Sequence, residues 1–419
     1  MNTEIKLSQK LDQNDQLKDF KKEFINNNNE IYLDGNSLGK LPILSKIKIK
    51  NVVENEWGNS LIRGWNDSWL EMVDRVSCKL EKLFNASKNE IIIGESTSVY
   101  LYQVLSSLLN SNKYKHHFIS DNLNFPSDLY IINGICKEKK GPTSVIVDYE
   151  SDIEANLEML KNSIKNKPGI ICLSLVSYKS SWIYPMKELN NWALSHNSII
   201  VWDLSHAAGV VHIDLKKTNT HVAVGCTYKF LNGGPGSPAY LYIKTDLLKS
   251  LQNPINGWFG HSNPFSFSED FDQDKGIKRF SNGTPSILSI TPIEIGVDLV
   301  LKAGIKSIEA KSKKQSEYLK NLIIKFLIPL GFKLESPVNC LNRGSHISIS
   351  HSESWRICKS LQTGTIKIIP DYRPPKYIRL GISPLYTSFE DLTKTVFKLA
   401  EIVKNKEYLK YSKERPRVT

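Results

Sequence analysis

The sequence predicts an α/β protein in which a mainly parallel sheet carries helices on both faces and is joined to a smaller α+β domain. Between residues 90 and 245, short runs of β-branched residues alternate with amphipathic helical stretches, which is the pattern of parallel strands joined by crossover helices. After about residue 290, a long helical stretch leads into strands and a final helix. With 419 residues, of which 40% are hydrophobic, the chain is long enough for two cores.

Three parts follow one another along the chain. Helical periodicity at 8–25 and 43–57 flanks the segment YLDGNSLG, which predicts a short extended piece that runs into a turn. We predict an N-terminal segment at 1–42 that joins the small domain, a large domain at 43–290, and a C-terminal small α+β domain at 291–419. The C-terminal residues YSKERPRVT predict a frayed basic tail.

The strands of the large domain are predicted from six apolar segments. They are EIIIG, HHFISD, TSVIVD, GIICLSLVS, SIIVWDLS and AYLYIK. In the small domain, HISISH and KYIRLGIS predict strands, and FEDLTKTVFKLAEIVKN predicts the last helix. Because ligands bind outside the carboxyl ends of parallel strands, we expect the chemically informative residues to cluster where the large-domain strands run into loops.

Composition excludes several classes of protein. The N-terminus has no apolar stretch typical of a secretion signal, and no run of about 18 uncharged apolar residues occurs. We therefore expect a cytoplasmic protein with no membrane partner. The six cysteines are scattered, with no C-x-x-C pair and no histidine at ligand spacing beside them. This pattern predicts reduced, mostly buried thiols and neither a disulfide framework nor a metal site.

The formal net charge of +12 does not by itself indicate a nucleic-acid partner. The lysines are spread along predicted helix faces and lie among glutamates, as at 306–325. Such a surface favours small anionic ligands. We expect a small-molecule substrate and no nucleic acid, and salt-sensitive retention on DNA would test the contrary hypothesis.

A carboxylate and a lysine stand out in IIVWDLSHAAG (199–209) and AVGCTYKFLNGGPG (223–236). Asp203 ends a predicted buried strand, and Lys229 lies 26 residues later in a loop with no strand or helix pattern. Pyridoxal phosphate chemistry needs a lysine to form a Schiff base and an acid to keep the pyridine nitrogen protonated. The two residues together predict a pyridoxal phosphate site.

Two further features indicate anion binding. Ser96, Thr97 and Ser98 open the predicted helix STSVYLYQVLSSLL, where free backbone N–H groups and the helix dipole favour a phosphate, although serine and threonine at this place also serve as ordinary caps. Arg379, inside the predicted strand KYIRLGIS, is a candidate clamp for a substrate carboxylate, because a guanidinium group can grip a carboxylate with two parallel hydrogen bonds.

The segments WDLSHAAG and GCTYKFLNGGPG together resemble the kynureninase family, within the fold-type-I pyridoxal phosphate enzymes of the class V aminotransferase-like group. Similar segments occur in the family's order between residues 31 and 400: YLDGNSLG, LIRGWND, GESTSVYL, FPSDLYI, GWFGH, NGTPSIL and IRLGISPLYTSFED. The resemblance implies the fold-type-I transferase fold and a homodimer with shared active sites. It also implies a hydrolase of tryptophan catabolism, which feeds the kynurenine pathway and NAD biosynthesis.

The reaction implied by the resemblance is hydrolytic cleavage of the Cβ–Cγ bond of L-kynurenine, and also of 3-hydroxy-L-kynurenine. The products would be anthranilate, or 3-hydroxyanthranilate, and L-alanine. Lys229 would carry pyridoxal 5'-phosphate as a Schiff base and move the substrate's α-proton. Asp203 would pair with the ring nitrogen, and Tyr228 would supply the proton for the β-carbon.

The resemblance also assigns the rest of the site. Further residues implied to hold the cofactor are Thr97, Ser98, Phe125, Pro126, Ser127, Asp128, Ser174, His206, Trp258 and Thr284. Trp258 and Thr284 would come from the partner subunit. Residues implied to bind the substrate are Arg379, Ser37, Trp65 and Phe259. Since relatives specialised for 3-hydroxykynurenine tend to have histidine and asparagine where Trp65 and Thr284 stand here, the pocket resembles the kynurenine-preferring bacterial type.

The sequence departs from the family pattern at two places, and two alternative functions are open. The family often has Asn and Gly in the segment that reads VSYKSSW here, and Asn in place of Tyr100. The nearest alternative is a cysteine desulfurase or selenocysteine lyase-like enzyme, which needs a reactive cysteine on a mobile loop. Cys340 and Cys358 lie in the C-terminal third without such a loop around them. A non-catalytic protein on a decayed scaffold would have lost Lys229, Asp203 or Arg379, and all three are present.

Overall fold

The N-terminal segment begins with a helix and ends with a strand. The computed structural model describes residues 2–27, 29–139 and 141–414. Helix α1 (Asn2–Gln13) is followed by a 3-10 turn and strand β1 (Glu30–Leu33). The predicted helix at 8–25 is wrong beyond residue 13, because the Asp15 side chain accepts the backbone N–H of Leu17 and turns the chain. Helix α2 (Ile43–Asn51) continues as a π-helical stretch, Val52–Ser60.

Seven strands form the large sheet, in the order β2-β8-β7-β6-β5-β3-β4. They are β2 (Ile91–Ile93), β3 (His117–Asp121), β4 (Thr143–Val147), β5 (Ile170–Ser174), β6 (Ile199–Asp203), β7 (Val222–Gly225) and β8 (Tyr240–Ile243). Strands β3 to β7 run parallel, and β8 is antiparallel to both β7 and β2. The mainly parallel sheet is therefore confirmed. Strand β7 was not predicted, since Ala223 and Gly225 alternate with its two valines and leave no run of β-branched residues.

Helices cover both faces of this sheet. They are α3 (Leu70–Phe84), α4 (Thr97–Asn110), α5 (Pro126–Lys139), α6 (Leu157–Asn166), α7 (Met186–Ser195), α8 (Thr245–Leu248) and α9 (Ile287–Ala303). Side chains of α3 and α9 pack in one core with Ile200 and Trp202 of β6. Side chains of α4 and α5 pack in another core with Ile199 and Val201. Because neighbouring residues of a strand face opposite sides, β6 is apolar throughout.

The second sheet has five strands, in the order β1-β11-β12-β10-β9. Its further elements are α10 (Ile305–Phe326), β9 (Lys333–Leu334), β10 (His346–Ser350), α11 (Ser354–Leu361), β11 (Lys367–Arg373), β12 (Tyr377–Gly381) and α12 (Phe389–Lys404). Strand β1 pairs with β11 in parallel, and the other pairs are antiparallel. The predicted strands β10 and β12 and the last helix are confirmed. Strand β11 was missed, because Pro370 and Asp371 interrupt its apolar pattern.

Strand β1 thus lies in the sheet of the C-terminal region. The division into 1–42, 43–290 and 291–419 stays a prediction, and residues 415–419 of the predicted basic tail lie outside the described residues. Over the described ranges, no helix is both long and apolar enough to cross a membrane.

A buried ion pair ties the turn after α1 to the small domain. The Lys311 ammonium group lies 2.6 Å from a carboxylate oxygen of Asp15, and both side chains are only 8% exposed. Lys311 also donates to the Pro384 carbonyl. Next to this pair, both carboxylate oxygens of Asp12 accept N–H groups from the first turn of α12. The N-terminal helix is therefore anchored by charge as well as by packing.

Lys311→Met removes the cation and leaves the Asp15 carboxylate buried without its partner. We expect the free energy of unfolding to fall by about 3 kcal/mol, measured by urea denaturation. Lys313→Met is the matched control, because this lysine lies on the same helix but pairs with Glu309 at a solvent-accessible position. The control is expected to cost less than about 0.5 kcal/mol. Equal losses in the two variants would contradict an anchoring role for the buried pair.

Candidate active site

A cavity of about 440 Å³ opens at the carboxyl ends of the large-sheet strands. This is the place where an open parallel sheet binds its ligands. The sequence-predicted residues that line it are Thr97, Ser98, Phe125, Ser127, Asp128, Asp203, Tyr228 and Lys229. They come from the first turns of α4 and α5, the end of β6 and the loop after β7. Residues far apart in sequence therefore line one cavity.

Lys229 projects from the loop after β7 between two aromatic rings. Its Nζ lies 5.7 Å from the ring centroid of Phe125 and 5.9 Å from that of Tyr228, and the residue is 9% exposed. The N-terminal segment holds this loop, because the Gly39 N–H donates to the Tyr228 carbonyl at 2.8 Å. A Cβ atom on Gly39 would come within 2.3 Å of the Lys229 carbonyl oxygen, so only glycine permits this approach.

Two buried carboxylates face the lysine. Asp203 accepts hydrogen bonds from the Ser205 N–H at 2.9 Å and from the Ser205 hydroxyl at 2.5 Å. Asp128 accepts from the Ser127 hydroxyl at 3.3 Å, and its Oδ2 has no hydrogen-bond partner in the described part of the chain. Burial raises the pKa of both carboxyls, and the charge of Lys229 opposes that rise. A buried acceptor without a donor is costly, and a cationic donor from a ligand would relieve it.

His206 lies buried beside this pair. Burial lowers the pKa of its imidazole well below the ordinary value, and the charges of Lys229 and Arg379 lower it further. Its Nδ1 has no hydrogen-bond partner among the residues described, and its ring centroid lies 5.8 Å from that of His346. The imidazole is therefore neutral at pH 7, with one nitrogen free for a ligand.

The start of α5 is held by an asparagine that the sequence did not single out. Asn124 Oδ1 accepts the Phe125 N–H at 2.8 Å and the Ser174 hydroxyl at 2.6 Å. Pro126 is the first residue of the helix, where its missing N–H costs nothing. Asn124 thereby fixes the Phe125 ring over Lys229. Asn124 positions Phe125 and Ser174, and Ser205 positions Asp203. In the sequence, the only sign of these two supporting roles is that Asn124 precedes FPSD and Ser205 follows WD closely.

Helix α4 aims its N-terminus at the cavity. Ser96 is the cap, since its hydroxyl accepts the Val99 N–H at 3.3 Å, while Thr97 and Ser98 line the cavity. The positive end of a 14-residue helix and its free N–H groups favour an anion there. An anion-binding helix end, a lysine and an unpaired buried carboxylate are the features that pyridoxal 5'-phosphate requires. The residues present fit that cofactor.

Arg379 is in the small domain and contacts Tyr178, whose ring centroid lies 5.1 Å from that of the cavity residue Phe125. Its side chain is 1% exposed, and its Nη1 donates to the Tyr178 carbonyl at 2.6 Å. Its Nη2 donates to the Ser37 hydroxyl at 3.2 Å, so these two predicted substrate residues are brought together.

Of the two aromatic residues predicted for the substrate pocket, Phe259 lines a recess beside the cavity and Trp65 packs against Phe259. The ring centroids of Trp65 and Phe259 are 6.3 Å apart. Phe259 and Thr284 line a recess of about 80 Å³ beside the cavity. Trp258 is 43% exposed and packs on Phe265 at 5.7 Å. Within one chain, neither Trp258 nor Thr284 is among the residues that line the cavity described above.

Two family models match overlapping parts of the chain. A family model described as aminotransferase class V matches residues 58–352, and one described as kynureninase C-terminal domain matches residues 308–399. A kynureninase of Pseudomonas fluorescens is 34% identical over 404 residues, which cover 94% of each chain. The chain belongs to the kynureninase family. A kynureninase of Burkholderia mallei is 32% identical over 399 residues, again covering 94% of each chain.

Solved structures show the fold. A cysteine desulfurase of Thermococcus onnurineus superposes with a TM-score of 0.80, covering 92% of this chain and 98% of that one, at 17% identity. A cysteine desulfurase of Escherichia coli gives a TM-score of 0.79 at 15% identity, covering 93% and 99% of the two chains. At these identities the likeness concerns the fold alone. The predicted fold-type-I architecture is confirmed, and the desulfurase alternative gains no support for its chemistry.

Asp203→Asn removes the carboxylate that would meet the cofactor's ring nitrogen. We expect affinity for pyridoxal 5'-phosphate to fall by about 10- to 100-fold, because a hydrogen bond to a charged group contributes about 1.5–3 kcal/mol. Equilibrium dialysis against the cofactor measures this. Asp121→Asn is the matched control: Asp121 is also buried at the end of a parallel strand, but Tyr149 and Tyr184 satisfy it. A similar loss of affinity in both variants would contradict the pairing.

Proposed function

We propose that the chain hydrolyses L-kynurenine to anthranilate and L-alanine, with pyridoxal 5'-phosphate bound at Lys229. Membership of the kynureninase family supports the enzyme class, which is that of hydrolases acting on carbon–carbon bonds in ketonic substances (EC 3.7.1.3). The observation that supports the site is the buried Lys229 between aromatic rings, facing the carboxylates of Asp203 and Asp128.

Each part of the cofactor has residues of this chain to hold it. Asp203, with Asp128 behind it, would pair with the ring nitrogen, and His206 would stand on the side of the ring's phenolic oxygen. Phe125 would stack on the ring. Thr97, Ser98 and Tyr228 would hold the phosphate. When bound, pyridoxal phosphate supplies a protonated ring that accepts electrons from bonds at the substrate's α- and β-carbons.

Two side chains would move protons during the reaction. The Nζ of Lys229 would take the proton from the substrate's α-carbon, and the burial of this residue limits its contact with bulk water. The neighbouring Cys226 and burial raise the pKa of the Tyr228 hydroxyl, so it stays protonated at neutral pH. Tyr228 can therefore donate a proton to the β-carbon.

The overall reaction adds one water across the Cβ–Cγ bond. The water oxygen bonds to the γ-carbon, which leaves as the carboxylate of anthranilate. The electron pair of the broken bond stays on the β-carbon until that carbon accepts a proton, and alanine results. The aromatic rings of Trp65, Trp69 and Phe259 suit an aryl group, and Trp65 and Thr284 stand where relatives specialised for 3-hydroxykynurenine tend to have histidine and asparagine. We propose a preference for kynurenine over 3-hydroxykynurenine on this basis.

A homodimer with shared sites is part of the proposal. Large apolar side chains are exposed on two adjoining segments, 41–62 and 258–267, among them Trp57, Ile62, Trp258 and Phe267. Exposed apolar surface of this kind favours a partner surface. Residues Trp258 and Thr284 would then complete the cofactor site of the other subunit.

A cytoplasmic location is proposed for the same enzyme. All six cysteines are free, and three of them, Cys172, Cys226 and Cys358, are buried. Free thiols suit a reducing compartment.

Lys229→Ala tests the proposed reaction. The wild-type protein is expected to be yellow and to release fluorescent anthranilate from L-kynurenine, and the variant is expected to lose both properties, because the Schiff-base nitrogen is gone. The measurement is a visible spectrum followed by fluorescence during turnover. Release of sulfur from cysteine by a yellow protein that leaves kynurenine intact would favour the desulfurase alternative instead.

Mixing two inactive variants tests the shared site. If Trp258 serves the other subunit, refolding equal amounts of Lys229→Ala and Trp258→Ala chains gives hybrid dimers with one intact site. About a quarter of wild-type activity is then expected, since half of the dimers are hybrid and each has one good site of two. Lys229→Ala mixed with Asp203→Asn is the control and should regain nothing, because both residues belong to one chain's site. Failure of the first mixture to regain activity would contradict the sharing of Trp258.

A further inference from the structure

The small domain carries two arginines that contact Ser37, two residues before the Gly39 that hydrogen-bonds to the Tyr228 carbonyl, and only one of them was predicted from the sequence. Strands β11 and β12 pair so that Asp371 lies directly opposite Arg379. Arg373 follows Asp371 by two residues on β11, so its side chain emerges on the same face of the sheet. Strand pairing alone therefore places a carboxylate and two guanidinium groups together.

Asp371 and Ser37 are shared by both arginines. The Oδ2 of Asp371 accepts Arg379 Nε at 2.5 Å, Arg379 Nη2 at a shorter distance, and Arg373 Nε at 3.0 Å. The hydroxyl of Ser37 meets Nη2 of both, at 3.2 Å for Arg379 and 3.3 Å for Arg373. The two guanidinium groups form one unit, which we name the arginine pair.

The two members of the arginine pair differ in their freedom to bind a ligand. Arg379 is 1% exposed, and four of its N–H groups already donate to Asp371, Ser37 and the Tyr178 carbonyl. The side chain of Arg373 is 38% exposed, and its Nη1 has no hydrogen-bond partner anywhere in the described ranges. The accessible donors of the pair thus belong mostly to Arg373.

The charge of Arg373 reaches the reactive side of the cavity. At His206, burial is the main cause of the lowered pKa, and the charge of Arg373 lowers it further. At Tyr228, Cys226 and burial raise the pKa, and the charge of Arg373 opposes part of that rise. Asp371 neutralises only one guanidinium group. Asp34, the next carboxyl, has a pKa raised to about 7 by burial and by the charge of Asp371, so it does not fully neutralise the second one at neutral pH. The arginine pair retains positive charge for an anion.

We propose that Arg373 binds the α-carboxylate of the substrate together with Arg379, as the open half of a two-arginine clamp. Asp371 is the positioning residue, because it fixes both guanidinium groups against one carboxylate oxygen. This inference rests on the proposed function for the identity of the substrate. Binding of an amino acid carboxylate by Arg373 can be measured without hydrolysis.

The test is equilibrium binding of L-alanine and L-alaninamide to the holoenzyme. Binding is detected by the change in visible absorption. Arg373→Gln is expected to weaken alanine binding by about 10- to 100-fold and alaninamide binding by less than about threefold, because the amide lacks the charge that Arg373 meets. Arg373→Lys should recover part of the loss, since it keeps the charge but not the fork. Lys376→Gln is the matched control, because it removes a nearby surface cation that pairs with Glu335. It should change the affinity for neither alanine nor alaninamide.

Turnover gives a second readout. Arg373→Gln is expected to raise KM for L-kynurenine by about 10- to 100-fold while kcat changes by less than about threefold, because a contact made equally in the ground and transition states affects KM. Equal weakening of alanine and alaninamide, or a fall in kcat with KM unchanged, would overturn the clamp. A wild-type protein that binds alanine through Arg373 yet releases no anthranilate would overturn the proposed function and leave the clamp standing.

Discussion

The site depends on one electrostatic constraint: two carboxylates are buried at the carboxyl edge of a parallel sheet with a single lysine to oppose their charge. Asp203 and Asp128 both resist ionisation in this setting, and Lys229 offsets only part of the cost. Such an arrangement is unfavourable in an empty protein and becomes favourable when a ligand brings a protonated ring nitrogen. Oδ2 of Asp128 and Nδ1 of His206, which have no hydrogen-bond partner within the part of the chain that the structure describes, are where such a ligand could bond.

The rest of the fold serves to hold these groups in place. The large sheet carries Asp203 at the end of β6, while Asn124 fixes the start of α5 and the Phe125 ring. The N-terminal segment does two things at once. Its strand β1 extends the small sheet, and its turn at Gly39 supports the Lys229 loop. The N-terminal segment therefore links the small sheet, which carries the arginine pair, to the Lys229 loop of the large domain.

Much of this could be predicted from the sequence because the large-sheet strands are continuous apolar runs. Asp203, Lys229 and Thr97 follow from strand ends, loop position and a helix start. Strands β7 and β11 could not be predicted, since alanine and glycine break the valine run of β7 and Pro370 and Asp371 interrupt β11. Arg373 was missed for the same reason: its face and its partners depend on strand pairing across the sheet, which a single sequence does not display.

The most direct measurement is the ¹⁵N NMR shift of ring-labelled pyridoxal 5'-phosphate bound to the protein, recorded from pH 6 to pH 9. If the buried carboxylates exist to hold a cation, the ring nitrogen should stay protonated across this range in the wild-type protein and should lose its proton in Asp203→Asn. A neutral ring nitrogen at pH 7 in the wild-type protein would contradict the electrostatic basis of the site.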